Sequence, residues 1–353
     1  MRNVAITTIR FILFFPFYLL YRIAFAFDKT FSQKSRLDDA ITISIGNLSV
    51  GGTGKTPFVI FLGKLLQTFW KGTEIVVLSR GYGGKKSPEG MEVQIDSDTL
   101  DSGEEPLLIK NNLENAKVLI GRNRKQVYGR FFPPKMVQNV RKIVLLDDGF
   151  QHHKLQRDLD IVLIDSNALL GNGFTLPIGF LREPVSALER AHAVIFTKIS
   201  PENEKSRKVL EEKIRKKFPN LQIFHSREKF SFFQNQKGEK LDLEKIRDKK
   251  IFAYSGIGNP KTFFGFLQSL NPKEILERKF VDHQEYSLAL QEKILREASP
   301  FEYILTTEKD FLKWNLDSSK IYFLKMEVEL LELEEFSSFL SKTFQEKGIF
   351  ANS

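Results

Sequence analysis

Gly51-Gly52-Thr53-Gly54-Lys55-Thr56 is the run whose residue types and order could hold a polyphosphate. Glycines let a chain curl closely around a β-phosphate, with backbone amides and the positive end of a following helix facing it. Lys55 would bridge the β- and γ-phosphates, and Thr56 would put its hydroxyl on Mg²⁺. The strict pattern wants a glycine where this chain has Ser49, and the nearest upstream glycine is Gly46, so the loop is a variant. Its setting fits nonetheless. An apolar run over residues 40–45 precedes it, and Phe58, Leu62, Leu65, Leu66 and Phe69 recur at helical spacing after it.

Carboxylates follow a second apolar run. Ile143-Val144-Leu145-Leu146 leads into Asp147-Asp148, which places acids at the C-terminal end of a central strand, where such sheets bind ligands. Asp147 or Asp148 would hold Mg²⁺, directly or through water. His152 and His153 stand close by, but with no cysteine in the chain and oxygen ligands already at hand, a transition-metal site is not expected. A guanine-reading site would carry Asn/Thr-Lys-x-Asp at a later strand end. Here Thr197-Lys198-Ile199-Ser200 has serine in place of the aspartate, which favours ATP over GTP.

Strands and helices must hold these groups. Short apolar runs at residues 74–79, 143–146, 160–164 and 193–197 alternate with longer polar or helical stretches, the rhythm of buried parallel strands in an α/β layer fold. The chain then becomes charged from residue 201 to about 250, with a helix expected over 205–218 and a polar stretch, 227–250, as candidate boundary. A second set of strands is expected at 251–255, 303–306 and 321–324, and an acidic run at 327–335 leads into a C-terminal helix. The expected division is 1–36 for an N-terminal helix, 37–225 for the phosphate-loop domain, 226–330 for a smaller α/β domain with linker strands, and 331–353 for the last helix.

Composition bounds the partners. The 353 residues are 42% apolar, enough for proper cores in one large or two ordinary domains. Lys and Arg number 53 against 44 acids, a net charge of +9 that favours nucleic acid, acidic headgroups or phosphorylated substrates. Phe11 to Tyr21 is unbroken apolar and aromatic sequence between Arg10 and Arg22. It is short of the about 20 residues a bilayer span needs and suits a helix lying in the membrane interface. A buried core helix and a secretory signal ending at Ala24-Phe25-Ala26 are the competing readings. The flanking arginines weigh against both, and export would separate the protein from its nucleotide.

Taken in order, these segments resemble one family, the lipid A 4′-kinases (tetraacyldisaccharide 4′-kinases). The resemblance spans most of the chain. It rests on the N-terminal segment, residues 44–57 around the phosphate loop, Ser79-Arg80-Gly81-Tyr82-Gly83, Asp147-Asp148-Gly149-Phe150-Gln151-His152 and Leu181-Arg182-Glu183-Pro184. Gly256-Ile257-Gly258-Asn259-Pro260, Asp282-His283 and Thr307-Glu308-Lys309-Asp310 complete it. The resemblance implies a phosphate-loop α/β/α sandwich and a smaller α/β/α domain joined by a pair of linker strands, plus the interfacial helix. It also implies transfer of the ATP γ-phosphate to the 4′-hydroxyl of a tetraacylated glucosamine disaccharide 1-phosphate, with Mg²⁺, on the cytoplasmic face of the inner membrane.

Residue roles follow from the same resemblance. The family's base is the aspartate of a Gly-Asp-Glu-Pro motif assisted by the histidine of Asp-His; the corresponding residues here are Glu104, in Gly103-Glu104-Glu105-Pro106, and His283. Glutamate in place of aspartate is one methylene longer, and a neutral imidazole is a natural relay near pH 7. Gly258 and Asn259 are expected to contact nucleotide; Arg80, Tyr82, Arg122 and Arg182 are the candidate substrate contacts, with Arg124 beside them. Arg122 and Arg124 could equally be a solvated face, and Arg182 could pair with Glu183 at a turn. The expected partners are an anionic glycolipid and a membrane surface met through residues 1–30, with no nucleic acid. Two other functions share part of the pattern: a membrane-associated nucleotide switch, and a nucleic-acid-binding ATPase. The second lacks an aromatic-basic recognition motif.

Overall fold

The computed structural model describes residues 14–23, 25, 34–133 and 142–346. Residues 1–13, 24 and 26–33 of the expected N-terminal membrane-facing helix lie outside them, as do residues 134–141 and residues 347–353 at the C-terminal end. Residues 14–23 form α1.

Six strands build the parallel part of the first lobe: β1 (Ala40–Asn47), β2 (Glu74–Ser79), β4 (Lys117–Ile120), β5 (Lys142–Asp147), β6 (Leu159–Asp165) and β7 (Ala193–Thr197). A short β3 (Met91–Val93) runs antiparallel along β4 at the outer edge. The spatial order β7-β6-β1-β5-β2-β4-β3 puts β1 and β5 side by side. The acids that end β5 therefore meet the loop that leaves β1. All eight residues of β1 are buried, as expected of a strand covered on both faces.

Helices cover this sheet: α2 (Lys55–Phe69), a single-turn α3 (Thr99–Ser102), α4 (Glu104–Asn112), α5 (Arg124–Phe131) and α6 (Glu204–Lys217). Phe58, Val59, Leu62, Leu65 and Leu66 bury one face of α2 against the sheet, at the spacing an amphipathic helix requires. Gly63 lets Leu113, at the end of α4, approach; a Cβ there would lie 2.5 Å from the leucine Cδ1.

Two long strands carry the chain to the second lobe. β8 (Gln222–Gln234) starts parallel to β7 and then pairs antiparallel with β13 (Ile321–Leu330), with a bulge at Lys325/Met326. β9 (Lys240–Leu241) pairs with the end of β8. β10 (Lys250–Ser255), β11 (Glu274–Lys279) and β12 (Tyr303–Thr307) form the parallel sheet of the smaller lobe with the first half of β13. Around it lie α7 (Lys261–Ser269), α8 (Leu288–Glu297) and the single-turn α9 (Glu308–Phe311). The last helix, α10 (Leu333–Glu346), returns to the first lobe, where Phe336, Leu340 and Phe344 join the core of α2 and β1.

Residues 227–234, expected as part of a polar boundary, continue β8, and residues 327–330, expected as an acidic run before a helix, continue β13. The reason lies in the ribbon they form. On one face Arg227 meets Glu329 at 2.6 Å and Ser231 donates to Glu327 at 2.9 Å, while Phe233 is fully buried on the other. A strand pair solvated on one side reads as polar when charges are counted along the chain.

Candidate active site

β1 ends at Asn47, and the glycine loop turns the chain into α2. Gly54 caps α2 with φ 84°, and Gly51 has φ 117°, left-handed conformations that glycine takes without strain. The side chains around the loop hold its carbonyls: Thr197 Oγ1 donates to the Thr53 carbonyl at 3.0 Å, and Lys198 Nζ donates to that of Gly52 at 2.6 Å. Asp165 fixes Lys198 from behind at 2.7 Å. In a planar trans peptide the next N–H points opposite its carbonyl, so the Gly54 amide faces away from Thr197. Asn47 donates to the Thr53 hydroxyl at 3.0 Å and the Ser49 carbonyl at 2.7 Å. Ser49, where the strict pattern has glycine, thus sits in a loop braced by Asn47.

The two aspartates have different surroundings. Asp147 is buried, with Oδ2 accepting a hydrogen bond from Ser79 at 2.9 Å and Oδ1 buried without a hydrogen-bond partner. Burial, with Glu105 and Asp148 nearby, pushes its carboxyl from 3.8 up to about 6. Burial raises Asp148 as well, but Lys55 and Arg182 outweigh it and hold that carboxyl below its ordinary value. Its Oδ1 lies 3.7 Å from Lys55 Nζ and its Oδ2 2.8 Å from Arg182 Nη1. Asp148 has φ 50°, a left-handed turn that brings successive carboxylates onto the site. Gly46 makes this turn possible, because a Cβ there would fall 2.5 Å from Phe150 Cβ.

Oxygen donors at these positions suit a hard divalent cation. The orphaned Asp147 Oδ1, with the buried Thr56 hydroxyl at the start of α2, fits Mg²⁺. Among the described residues no group of three or more His, Asp or Glu side chains could by itself hold a metal. His152, drawn down to about 4 by burial and by Arg124 and Arg157, is a neutral imidazole at physiological pH.

Glu104 opens α4, pointing at the second lobe. His283 Nδ1 lies 3.1 Å from its Oε2. Lys309 Nζ is 3.2 Å from Oε2, and Lys313 Nζ is 3.2 Å from Oε1. Those three partners come from the smaller lobe, so this carboxylate is where the lobes meet chemically. Asp310, fully buried, organises them. It accepts from Ser255, the Gly256 amide, Tyr286 and Thr307, and pairs with Lys313 at 3.3 Å. His283 itself has φ 59°, its amide bonded to the Gly256 carbonyl at 3.1 Å. Nearby, Asn112 and Lys325 converge on Glu308, at 2.8 and 2.7 Å.

The remaining candidates fall at different depths. Arg80, Tyr82 and Arg122 are exposed at loop ends on the strand-terminal side of the first sheet, Tyr82 by 81%. Gly258 and Asn259 are exposed just after β10, with Asp282 close to Gly258. Arg124 is no solvated face: it is buried, donating to the Asp147 carbonyl at 2.7 Å, and so shapes the aspartate turn. Arg182 pairs with Asp148, not Glu183, which is taken by Arg190 and Gln151. Sequence reasoning missed Lys309 and Lys313 as partners of Glu104, and Lys198 as a brace of the phosphate loop. The i, i+4 spacing of the two lysines would have put them on one side of a turn, though not beside Glu104.

A phosphate loop at the end of a central parallel strand, aspartates on the adjoining strand and a second lobe reaching over them define a two-lobed phosphate-loop nucleotide enzyme. The family model for tetraacyldisaccharide-1-P 4′-kinase matches residues 10–345. Tetraacyldisaccharide 4′-kinase from Leptospira biflexa is 34% identical, covering 94% of this chain and 95% of its own length. Its counterpart from Syntrophus aciditrophicus is 37% identical, over 84% and 82% of the two chains. The crystal structure of LpxK from Aquifex aeolicus in complex with ATP superposes with a TM-score of 0.71 at 28% identity, covering 94% of this chain and 98% of that one. This chain belongs to the tetraacyldisaccharide 4′-kinase family.

Proposed function

We propose that this protein transfers the γ-phosphoryl group of ATP to the 4′-hydroxyl of a tetraacylated glucosamine disaccharide 1-phosphate, giving the bis-phosphorylated lipid A precursor. Family membership over nearly the whole chain supports the reaction. The observation that carries the mechanism is the meeting of Glu104 and His283 at 3.1 Å across the two lobes. Glu104 takes the proton of the attacking hydroxyl as the O–P bond forms and ADP leaves. His283 supports that carboxylate, and Lys309 and Lys313 fix both of its oxygens, so orientation is set before the acceptor arrives. Lys55 and the amides of Gly51–Thr56 hold the β- and γ-phosphates, and Gly258 and Asn259 reach the nucleotide from the other lobe. Thr56, Asp147 and Asp148 would hold Mg²⁺, which would supply positive charge beside the phosphates. Arg80, Tyr82, Arg122 and Arg182 serve the acceptor and its phosphate.

The acceptor's acyl chains cannot leave a bilayer, and α1 offers a way to meet them there. Its outer side exposes Phe14, Phe15, Phe17, Leu19, Leu20 and Ile23. No described helix is long and apolar enough to cross a membrane. An interfacial seat on the cytoplasmic face of the inner membrane, reinforced by the basic balance of the chain, accounts for both facts.

The test is direct. Purified protein with γ-labelled ATP, Mg²⁺ and detergent-dispersed disaccharide 1-phosphate should put label on the lipid. Glu104→Ala should slow transfer about a hundredfold or more, the usual worth of a positioned base. Glu104→Ala turning over like wild type would remove Glu104 from the mechanism. Label appearing only as inorganic phosphate would point to a nucleotide switch instead of a kinase.

A further inference from the structure

Helix α1, with its exposed apolar side, also touches the site. Along α1 the side chains of Tyr18 and Tyr21 are half-buried while Phe17 and Leu20 are 61% and 63% exposed, so the tyrosines mark the side turned to the protein. Tyr21 donates its hydroxyl to the Arg182 carbonyl at 2.8 Å, a contact spanning 161 residues. Residue 182 is a junction. Its amide donates to the Leu48 carbonyl, just before the phosphate loop, at 2.6 Å. Its guanidinium holds Asp148 at 2.8 Å and reaches Gln151 at 3.4 Å. A second contact runs the same way: Tyr21 stacks on Phe25, whose ring lies edge-on to His153 with centroids 5.6 Å apart, in the turn that follows Asp148.

We propose that Tyr21 is a positioning residue for phosphoryl transfer: through the Arg182 backbone it ties the seating of α1 to the placement of Asp148 beside Lys55. A helix needing only apolar contact on its inner side could use phenylalanine there, a residue α1 carries at positions 14, 15 and 17 on its exposed side. A hydroxyl aimed at a backbone carbonyl is instead a directed tether. Burial and the neighbouring Glu183 raise the Tyr21 phenol, against Arg182, so it remains a donor throughout the working pH range. When α1 is lifted from its seat, residue 182 loses one of its bonds, and the arginine that orients Asp148 is freed to move. Catalytic competence is thereby linked to the seating of α1 on the protein, apart from its hold on the membrane. The inference rests on the reading that Asp148 serves the cation of the nucleotide and that α1 meets the membrane.

Tyr21→Phe in the full chain removes the tether and keeps the ring. Loss of one hydrogen bond predicts about a three- to tenfold fall in kcat and a matching rise in the Mg²⁺ concentration for half-maximal rate. KM for the acceptor and sedimentation with phosphatidylglycerol vesicles should stay as in wild type. Phe17→Ser with Leu20→Ser should do the reverse, weakening vesicle binding and raising the acceptor KM without moving the Mg²⁺ dependence. Calorimetric titration with Mg²⁺ and ATP, no acceptor present, should show the same loss of affinity in Tyr21→Phe. Wild-type kcat and Mg²⁺ dependence in Tyr21→Phe, or a defect confined to vesicle binding and acceptor KM, would overturn the proposal. A wild-type protein that fails to label the acceptor would overturn the kinase reading instead, and the calorimetric comparison would still decide whether Tyr21 acts on the cation site.

Discussion

Asp147 shows how one residue can be selected against stability. Its folded carboxyl titrates near 6 against an ordinary 3.8, with burial the leading cause. A raised carboxyl stabilises the fold while protonated, fully below about pH 4, and that contribution is lost as pH rises through about 6. At neutral pH the ionised group therefore opposes folding, by at most on the order of 3 kcal/mol. Asp147→Asn should raise the melting temperature at pH 8 by a few degrees in differential scanning fluorimetry and abolish detectable phosphoryl transfer. An unchanged melting temperature would mean that Asp147 is not held charged at a cost. Lys313 presents the opposite case: it is buried between Glu104 and the wholly buried Asp310. Lys313→Met takes from Glu104 and Asp310 the cation they share, leaving Asp310 only neutral donors, and should cost up to about 3 kcal/mol in urea unfolding monitored by fluorescence. The phosphate loop and strand-end aspartates were legible from local pattern because each is contiguous in sequence. The Glu104–His283 pair was not, since 179 residues separate its members and only the family resemblance joined them.

Strands buried on both faces were read most closely. The runs 74–79 and 193–197 coincide with β2 and β7, and the helix expected over 205–218 is α6, displaced by one residue. Apolar runs survive in sequence when both faces of a strand are covered. Elements with one wet face or an open edge were lost. β11 reads Glu-Ile-Leu-Glu-Arg-Lys and forms the outer edge of the smaller sheet, where charge protects an exposed edge. The antiparallel halves of β8 and β13 hide their period under cross-strand ion pairs such as Arg227–Glu329. That pair is exposed, so Arg227→Ala should leave the unfolding midpoint close to that of wild type in the same experiment. A larger loss would show that the ribbon's outer face contributes more than exposed ion pairs ordinarily do.

Across the molecule, the ribbon of β8 and β13 and the contacts at Glu104 and Glu308 are what join the phosphate loop to the residues of the smaller lobe. A net charge of +9 adds a long-range pull toward anionic surfaces. Vesicle binding should therefore weaken as salt is raised from about 0.1 M to 1 M, where the screening length falls from about 10 to 3 Å, but should persist in part through the apolar side of α1. Complete insensitivity to salt would leave the basic balance without a role at the membrane. Everything here depends on phosphate passing from a nucleotide gripped at Lys55 to a sugar hydroxyl facing Glu104. Phosphorus-31 NMR of the reaction mixture resolves that transfer atom by atom. The expected result is a new phosphomonoester coupled to the proton on sugar carbon 4′, growing in step with ADP and absent with Lys55→Met. Accumulation of inorganic phosphate beside an unchanged acceptor, or an undiminished rate with Lys55→Met, would contradict it.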